Sequence, residues 1–170
     1  MSITEILGFF HPKGAIVNTN FGYDNSTDTF KVVVFDWDYY TIGNRLTRVF
    51  TLGCNIWRDV QNLPVDIFIH CWDQKHGVNL RSTLNWLAFD KPTGQPVILS
   101  FDLGTEVFTQ FSLPPGFGND EFPFVGVLMD SLCLSPCWSR THQKRTDDYV
   151  IWQMKEFGVE KSWTQLLKIN

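Results

Sequence analysis

The residues able to do chemistry in this 170-residue chain are few and scattered. Cys133 and Cys137 stand four apart, and His70 adjoins Cys71. Neither pair has a second Cys or His pair at the spacing of a structural zinc site. Cys133 lies in an apolar run, where a free thiol behaves as a small hydrophobe. Asp36 with Asp38, and Asp147 with Asp148, are paired carboxylates of the kind used in glycoside hydrolysis, but acids at strand ends are ordinarily solvated turn residues. A cysteine nucleophile would need a histidine partner, and nothing in the spacing points to one. The Gly-x-Ser-x-Gly elbow, phosphate-cradling glycine loops and His-Glu-x-x-His do not occur. The residues thus favour neither catalysis nor a bound metal or cofactor.

Composition narrows the classes further. Seven Trp, 4 Tyr and 15 Phe accompany a charged fraction of only 19%. Disordered chains have few aromatics and high charge, and coiled coils are rich in Ala, Glu, Lys and Leu; neither fits. A net charge of -4 offers no electrostatic footprint for nucleic acid. No apolar run approaches the roughly 18 residues of a membrane span. The opening stretch, MSITEILGFFHPKG, has no basic segment of the secretory type. The expected location is therefore cytoplasmic or nuclear. Cys54, Cys71, Cys133 and Cys137 would be reduced there, and Asn25-Ser26-Thr27 would serve as a turn.

The elements that must position any functional residue follow from an internal repeat. Three segments share a layout of apolar run, glycine turn and large aromatic: Val49 to Trp57, Ile98 to Phe108 and Val150 to Trp163. Their turn glycines Gly53, Gly104 and Gly158 are spaced 51 and 54. Trp57, Phe108 and Trp163 are spaced 51 and 55, and Phe50, Phe101 and Trp152 are spaced 51 and 51. A β-branched or apolar strand precedes each run: Phe30 to Phe35, Leu84 to Phe89 and Ser131 to Leu134. Gly77 to Leu80 and Phe124 to Leu128 read as further strands ahead of the last two. About four strands in about 50 residues is the signature of a β-propeller blade at kelch-type spacing. Trp163, Leu166 and Leu167 alone fit a helical period, but the repeat register puts them on a blade's outer strand. The expected fold is all-β and β-propeller-like, with about three four-stranded blades of an incomplete propeller. Residues 1–20 form a lead-in that could hold part of a strand, and 21–169 form the domain.

Successive antiparallel strands reverse direction, so loops between second and third strands share one end of the fold with the loops between units. They run Asp36 to Arg48, Gln61 to His76, Asp90 to Pro96, Ser112 to Pro123 and Ser135 to Asp148. The turns at the other end are short. Loops bearing Trp, Tyr and Arg on a rigid scaffold are where protein-binding hot spots concentrate. The expected protein-binding residues are Trp37, Tyr39, Tyr40, Arg45, Trp72, Phe117, Trp138, Arg140 and His142, with Lys144 and Arg145 extending the basic run. A stand-alone module binding a ligand or glycan, or a remnant propeller hydrolase, is the alternative reading.

Phe21-Gly22-Tyr23-Asp24-Asn25-Ser26-Thr27-Asp28, followed by Phe30-Lys31-Val32-Val33, resembles the GFGYD-x-STDDYKVV signature of plant F-box associated domains. Asn55-Ile56-Trp57-Arg58 is similar to their NSWR segment, and Gly77 to Ala88 to GVxLNGxLHWLA. Phe101-Asp102-Leu103 with Phe108, Leu113 and Pro114 resembles FDLxxExFxxIxLP. Val127 to Leu134, and Ile151 to Val159 with Ser162 and Trp163, resemble LxxLxGxLCL and IWVMKEYGVxxSW. The resemblance implies a non-enzymatic substrate-binding module of a Skp–cullin–F-box ubiquitin ligase, needing no cofactor, whose partner is a protein of unknown identity. It also implies docking of a Skp-type adaptor only through an F-box, which the residues ahead of 21 do not supply. An open array of three units would expose faces and strand edges at both ends, so self-association or marginal stability is expected.

Overall fold

The structure, a computed structural model, describes residues 16–37, 47–54, 56–60, 64, 66–69, 77–115, 117, 123–136 and 149–169. Its strands form three antiparallel sheets. The first contains β1 (Ile16–Asp24), β2 (Thr29–Trp37), β3 (Thr47–Thr51) and β4 (Ile56–Val60) in that order. In the second, β7 (Thr83–Asp90), β8 (Gln95–Asp102) and β9 (Phe108–Ser112) run in order, and two short strands share the innermost place. These are β5 (Ile67–Ile69), paired along the Ala88–Asp90 half of β7, and β6 (Val78–Leu80), paired along Thr83–Asn85. The third sheet is β10 (Phe124–Leu128), β11 (Ser131–Ser135), β12 (Tyr149–Met154) and β13 (Trp163–Ile169), with a 3-10 turn at Glu160–Ser162. Four antiparallel strand positions per sheet and sheet-on-sheet stacking make these three blades of a partial β-propeller.

The outer strand β13 is extended, so the repeat register prevails over the local helical spacing of Trp163, Leu166 and Leu167. A terminal strand gains a full ladder on β12, whereas an isolated helix of that length would be marginal. The ladder also corrects one repeat column. Phe50 pairs with Trp57, and Phe101 with Phe108, but Trp163 pairs with Met154 rather than with Trp152. The matching row across each sheet is therefore Val32-Phe50-Trp57, Leu84-Phe101-Phe108 and Leu132-Met154-Trp163.

The stack is held by two apolar seams. Val33, Val49 and Val60 of the first sheet meet Leu84, Trp86, Leu99, Phe101 and Phe108 of the second. From the other side of the second sheet, Leu80, Leu87 and Ile98 meet Val125, Leu132, Leu134, Met154 and Trp163 of the third. The middle sheet is thus covered on both faces, which is why β7 and β8 are nearly continuous apolar runs rather than alternating ones. The flanking sheets alternate: Val33 points into the first seam while Val32 and Val34 join Phe50 and Trp57 on the opposite face.

Candidate functional site

The topology separates two ends. At one end lie the short connections: Asn25–Asp28, the turn after β3 that includes Leu52–Cys54, Arg81–Ser82, Leu103–Val107 and Met129–Asp130. The expected recognition loops leave from the other end, and the structure redraws several of them. Trp37 is a strand residue, paired with Ile16, because the apolar stretch of β2 continues its ladder on β1 to that point. Asp90 to Pro96 is not a long loop: only Lys91–Gly94 turn, and Asp90, Gln95 and Pro96 belong to the ladder. Asp90 shapes this turn, accepting a hydrogen bond from the Thr93 hydroxyl on its carboxylate and one from Gly94 N on its carbonyl at 2.8 Å. The stretch Gln61 to His76 contains strand β5, and Lys91 N ties to Asp66 O at 2.7 Å.

Phe117 is half-buried and packs against the second seam's cluster beside Phe111, Leu113 and Phe157. Tyr39, Tyr40, Arg45, Trp72, Trp138, Arg140 and His142 lie outside the described residues, as do Lys144, Arg145 and the side chain of Trp37. So do Asp38, His70, Cys71, Cys137, Asp147 and Asp148. Among the described residues, no three His, Cys, Asp or Glu side chains converge on a common point. Cys133 is buried in β11, and burial pushes its thiol up, away from the thiolate that metal binding or nucleophilic attack requires.

The short-turn end holds a polar assembly that the sequence reading missed. Asp24 closes β1 and turns the chain, accepting hydrogen bonds from Ser26 N (2.9 Å), Ser26 Oγ (2.7 Å) and Thr27 Oγ1 (2.7 Å). Lys31 Nζ lies 2.9 Å from Asp24 Oδ2, with both side chains buried. The same ammonium crosses the first seam to Leu103 O and, at 3.3 Å, to Glu106 of the second sheet. Glu106 also receives Arg58 from β4. Burial pushes the Asp24 carboxyl up, but the hydrogen bonds from Ser26, Thr27 and Lys31 together outweigh it and hold the group well below the usual carboxylate range.

A lysine inside the apolar run Phe30 to Phe35 was the available signal for this clamp, since a buried lysine needs a partner. The second seam is bridged at the same end by Arg81, whose Nε and Nη2 both reach Asp130 Oδ2, at 3.1 and 2.8 Å. Asn25 N donates to Ser82 Oγ at 2.9 Å, so neighbouring turns are tied in sequence from blade to blade. At the outer edge of the second seam, Trp163 Nε1 donates to Ser112 O at 3.1 Å, and Ser112 N donates to the Glu160 carboxylate at 2.6 Å. The contacts from Lys31, Asn25 and Arg81 thus tie the short-turn ends of the three sheets to one another.

Comparison with known proteins gives a family model described as the F-box associated beta propeller domain, matching residues 10–170. Among curated proteins of Arabidopsis thaliana, the F-box/kelch-repeat protein At3g23880 is 28% identical over 154 residues, covering 91% of this chain and 40% of its own length. F-box protein CPR1 is 25% identical over 168 residues, with 88% and 39% covered. F-box/LRR-repeat/kelch-repeat protein At1g09650 is 29% identical over 169 residues, with 96% and 40% covered. The chain spans about two fifths of the length of these relatives.

Proposed function

Because the chain belongs to the F-box associated beta propeller family, we propose that it is the substrate-capturing part of an F-box type ubiquitin ligase subunit. The family match over nearly the whole chain carries this reading. The blade architecture supports it: a clamped short-turn end makes a stiff base, and stiff bases are what binding loops require. In this role the protein carries out no chemistry. It holds a target protein, and an F-box elsewhere in the assembly docks the Skp-type adaptor.

The long-loop end is the recognition surface in this proposal. Trp37, Tyr39, Tyr40, Trp72 and Trp138 supply apolar anchors, Arg45, Arg140 and His142 supply polar and cationic contacts, and Phe117, packed against the second seam, flanks them. An acidic or aromatic target segment suits that set. The proposed workplace is the cytoplasm or nucleus, where ubiquitin ligases of this type act. Affinity capture from a plant extract, with quantitative mass spectrometry, tests the reading. Replacing Trp138 and Arg140 by alanine should deplete specific captured proteins while the melting temperature stays nearly unchanged. Equal loss of capture and of thermal stability would show the two residues to be structural, and recovery of the adaptor with this chain alone would contradict the account.

A further inference from the structure

Three seam-facing positions of β1 carry no apolar side chain. Asn20 lies opposite Val33 of β2, which faces the first seam, and alternation puts Gly22 and Asp24 on the same side. Each makes a contact that depends on its exact placement. Asn20 Oδ1, on a residue 2% exposed, accepts hydrogen bonds across the seam from Gly77 N at 2.7 Å and Trp86 Nε1 at 3.2 Å. At Gly22 the backbone itself meets the second sheet: an added methyl group would come within 2.6 Å of Asn79 Nδ2 and closer still to Leu103. Asp24 holds Lys31, which lies opposite Gly22, and the ammonium reaches Leu103 O and Glu106. Among the described residues, both ion pairs that cross this seam, from Lys31 and from Arg58, end on Glu106.

The apolar contribution of the first sheet to this seam is Val33, Val49 and Val60. Apolar burial is non-directional, so these valines hold the sheets together without fixing the angle between them. Hydrogen bonds and ion pairs are placed at a distance and an angle. Asn20 is the middle residue of β1 (Ile16–Asp24), with about 13 Å of strand on either side of it. With Asn20 as fulcrum, a swing at the Lys31 end returns as an equal and opposite swing at the end where the long loops leave. Play of about 1 Å on that arm is a rotation of about 4°. Binding constellations need placement to within about 0.5 Å, so play of that size matters to them.

We infer that Lys31 is a positioning residue: it fixes the angle of the first sheet on the second, and with it the spacing of the loops at the opposite end. The valines supply adhesion, Asn20 and Gly22 supply the fulcrum, and the Lys31 clamp stops the rotation. The bearing of this lock on target capture rests on the reading of the long-loop end as the recognition surface.

Amide residual dipolar couplings of the 170-residue chain measure the angle directly. One alignment tensor should fit all three sheets of the unaltered chain. In the double variant Asp24→Asn with Lys31→Met, the couplings within each sheet should keep their fit. The tensors of the first and second sheets should then diverge by about 4° or more, while the second and third still share one. Arg81→Ala, which removes an exposed tie of the second seam, should leave all three sheets on one tensor. A common tensor for the first two sheets of the double variant would overturn the inference. Should that variant not fold, Glu106→Ala keeps the buried pair and removes both ion pairs across the seam. Its tensors must diverge as well, and a common one would overturn the inference. Divergence with unchanged capture of proteins from a plant extract would uphold the angle lock and overturn the reading of the long-loop end instead.

Discussion

Lys31 on β2 and Asp24 at the end of β1 form an ion pair 2.9 Å long whose side chains are 4% and 0% exposed. The pair sits where the first sheet meets the second, and Lys31 extends across the seam to Leu103 O and Glu106. Its burial sets it apart from Arg81–Asp130, which bridges the next seam with side chains 53% and 70% exposed. A buried carboxylate that loses its cation stays desolvated, whereas an exposed one returns to water.

Lys31→Met should therefore cost about 3–5 kcal/mol in urea denaturation, and Arg81→Ala no more than about 1 kcal/mol. Adding Asp24→Asn to Lys31→Met should restore part of the loss, because the amide leaves no uncompensated charge. Equal effects of the two single substitutions would show that burial does not distinguish the pairs.

The same site gives the acid limb of stability a defined shape. The Asp24 carboxyl has a folded pKa far below its ordinary value of 3.8, so it contributes stability in full above that value. The contribution is lost as pH falls below it toward the folded pKa. The stability difference between the unaltered chain and Asp24→Asn should stay level at neutral pH and shrink below pH 3.8, by at most about 1.4 kcal/mol per pH unit. Denaturation curves at successive pH values measure it, and a difference that stays level down the whole acid limb would contradict the assignment.

Gly77 is confined by Trp86. A methyl group there would come within 2.5 Å of the indole, which is buried and fixed by a hydrogen bond from Nε1 to Asn20 Oδ1 at 3.2 Å. Gly77 N donates to the same Asn20 oxygen at 2.7 Å, so the backbone cannot retreat without breaking it. Gly77→Ala should cost about 1–3 kcal/mol. Gly126→Ala, in a strand with open space at that position, should be neutral or slightly stabilising, and the two melting temperatures compare them directly.

The β10–β11 hairpin turns on Met129 and Asp130, with φ of 50° and 53°. Two successive residues of positive φ make a type I′ turn, which favours Asn or Gly, and Met129 is 77% exposed with little to lose. Met129→Asn should stabilise the chain by about 0.5–1 kcal/mol, seen as a higher melting temperature with an unchanged spectrum. A lower one would mean that the methionine makes a contact that offsets its backbone strain.

Most of the strands were legible before any coordinates. Phe30 to Phe35, Leu84 to Phe89 and Ser131 to Leu134 fall inside β2, β7 and β11, since the β-branched and apolar runs between turn residues are a local signal. The errors occur where pairing extends or interrupts such runs. Trp37 joined β2 because β1 offered it a partner, and Ile67–Ile69 became a strand because half of β7 was otherwise unpaired. Trp152 occupied a repeat column that the ladder gives to Met154, because β12 enters the ladder two residues later than a constant spacing of 51 from Phe101 predicts. The Gly-x-Gly-free hairpins at Arg81–Ser82 and Met129–Asp130 adopt the same turn despite lacking glycine, so pairing of their flanking strands sets the backbone there.

The amino-acid order alone established the period and most of the strands, which depend on residues within a few positions or on a repeat that can be counted. The faces that became seams and the clamp of Asp24, Lys31, Glu106 and Arg58 arose only in three dimensions. Lys31 meets Glu106 across 75 positions of chain, and no local pattern encodes a partner so distant. Side-chain alternation offers each strand two faces, and stacking the blades selects which of them is buried.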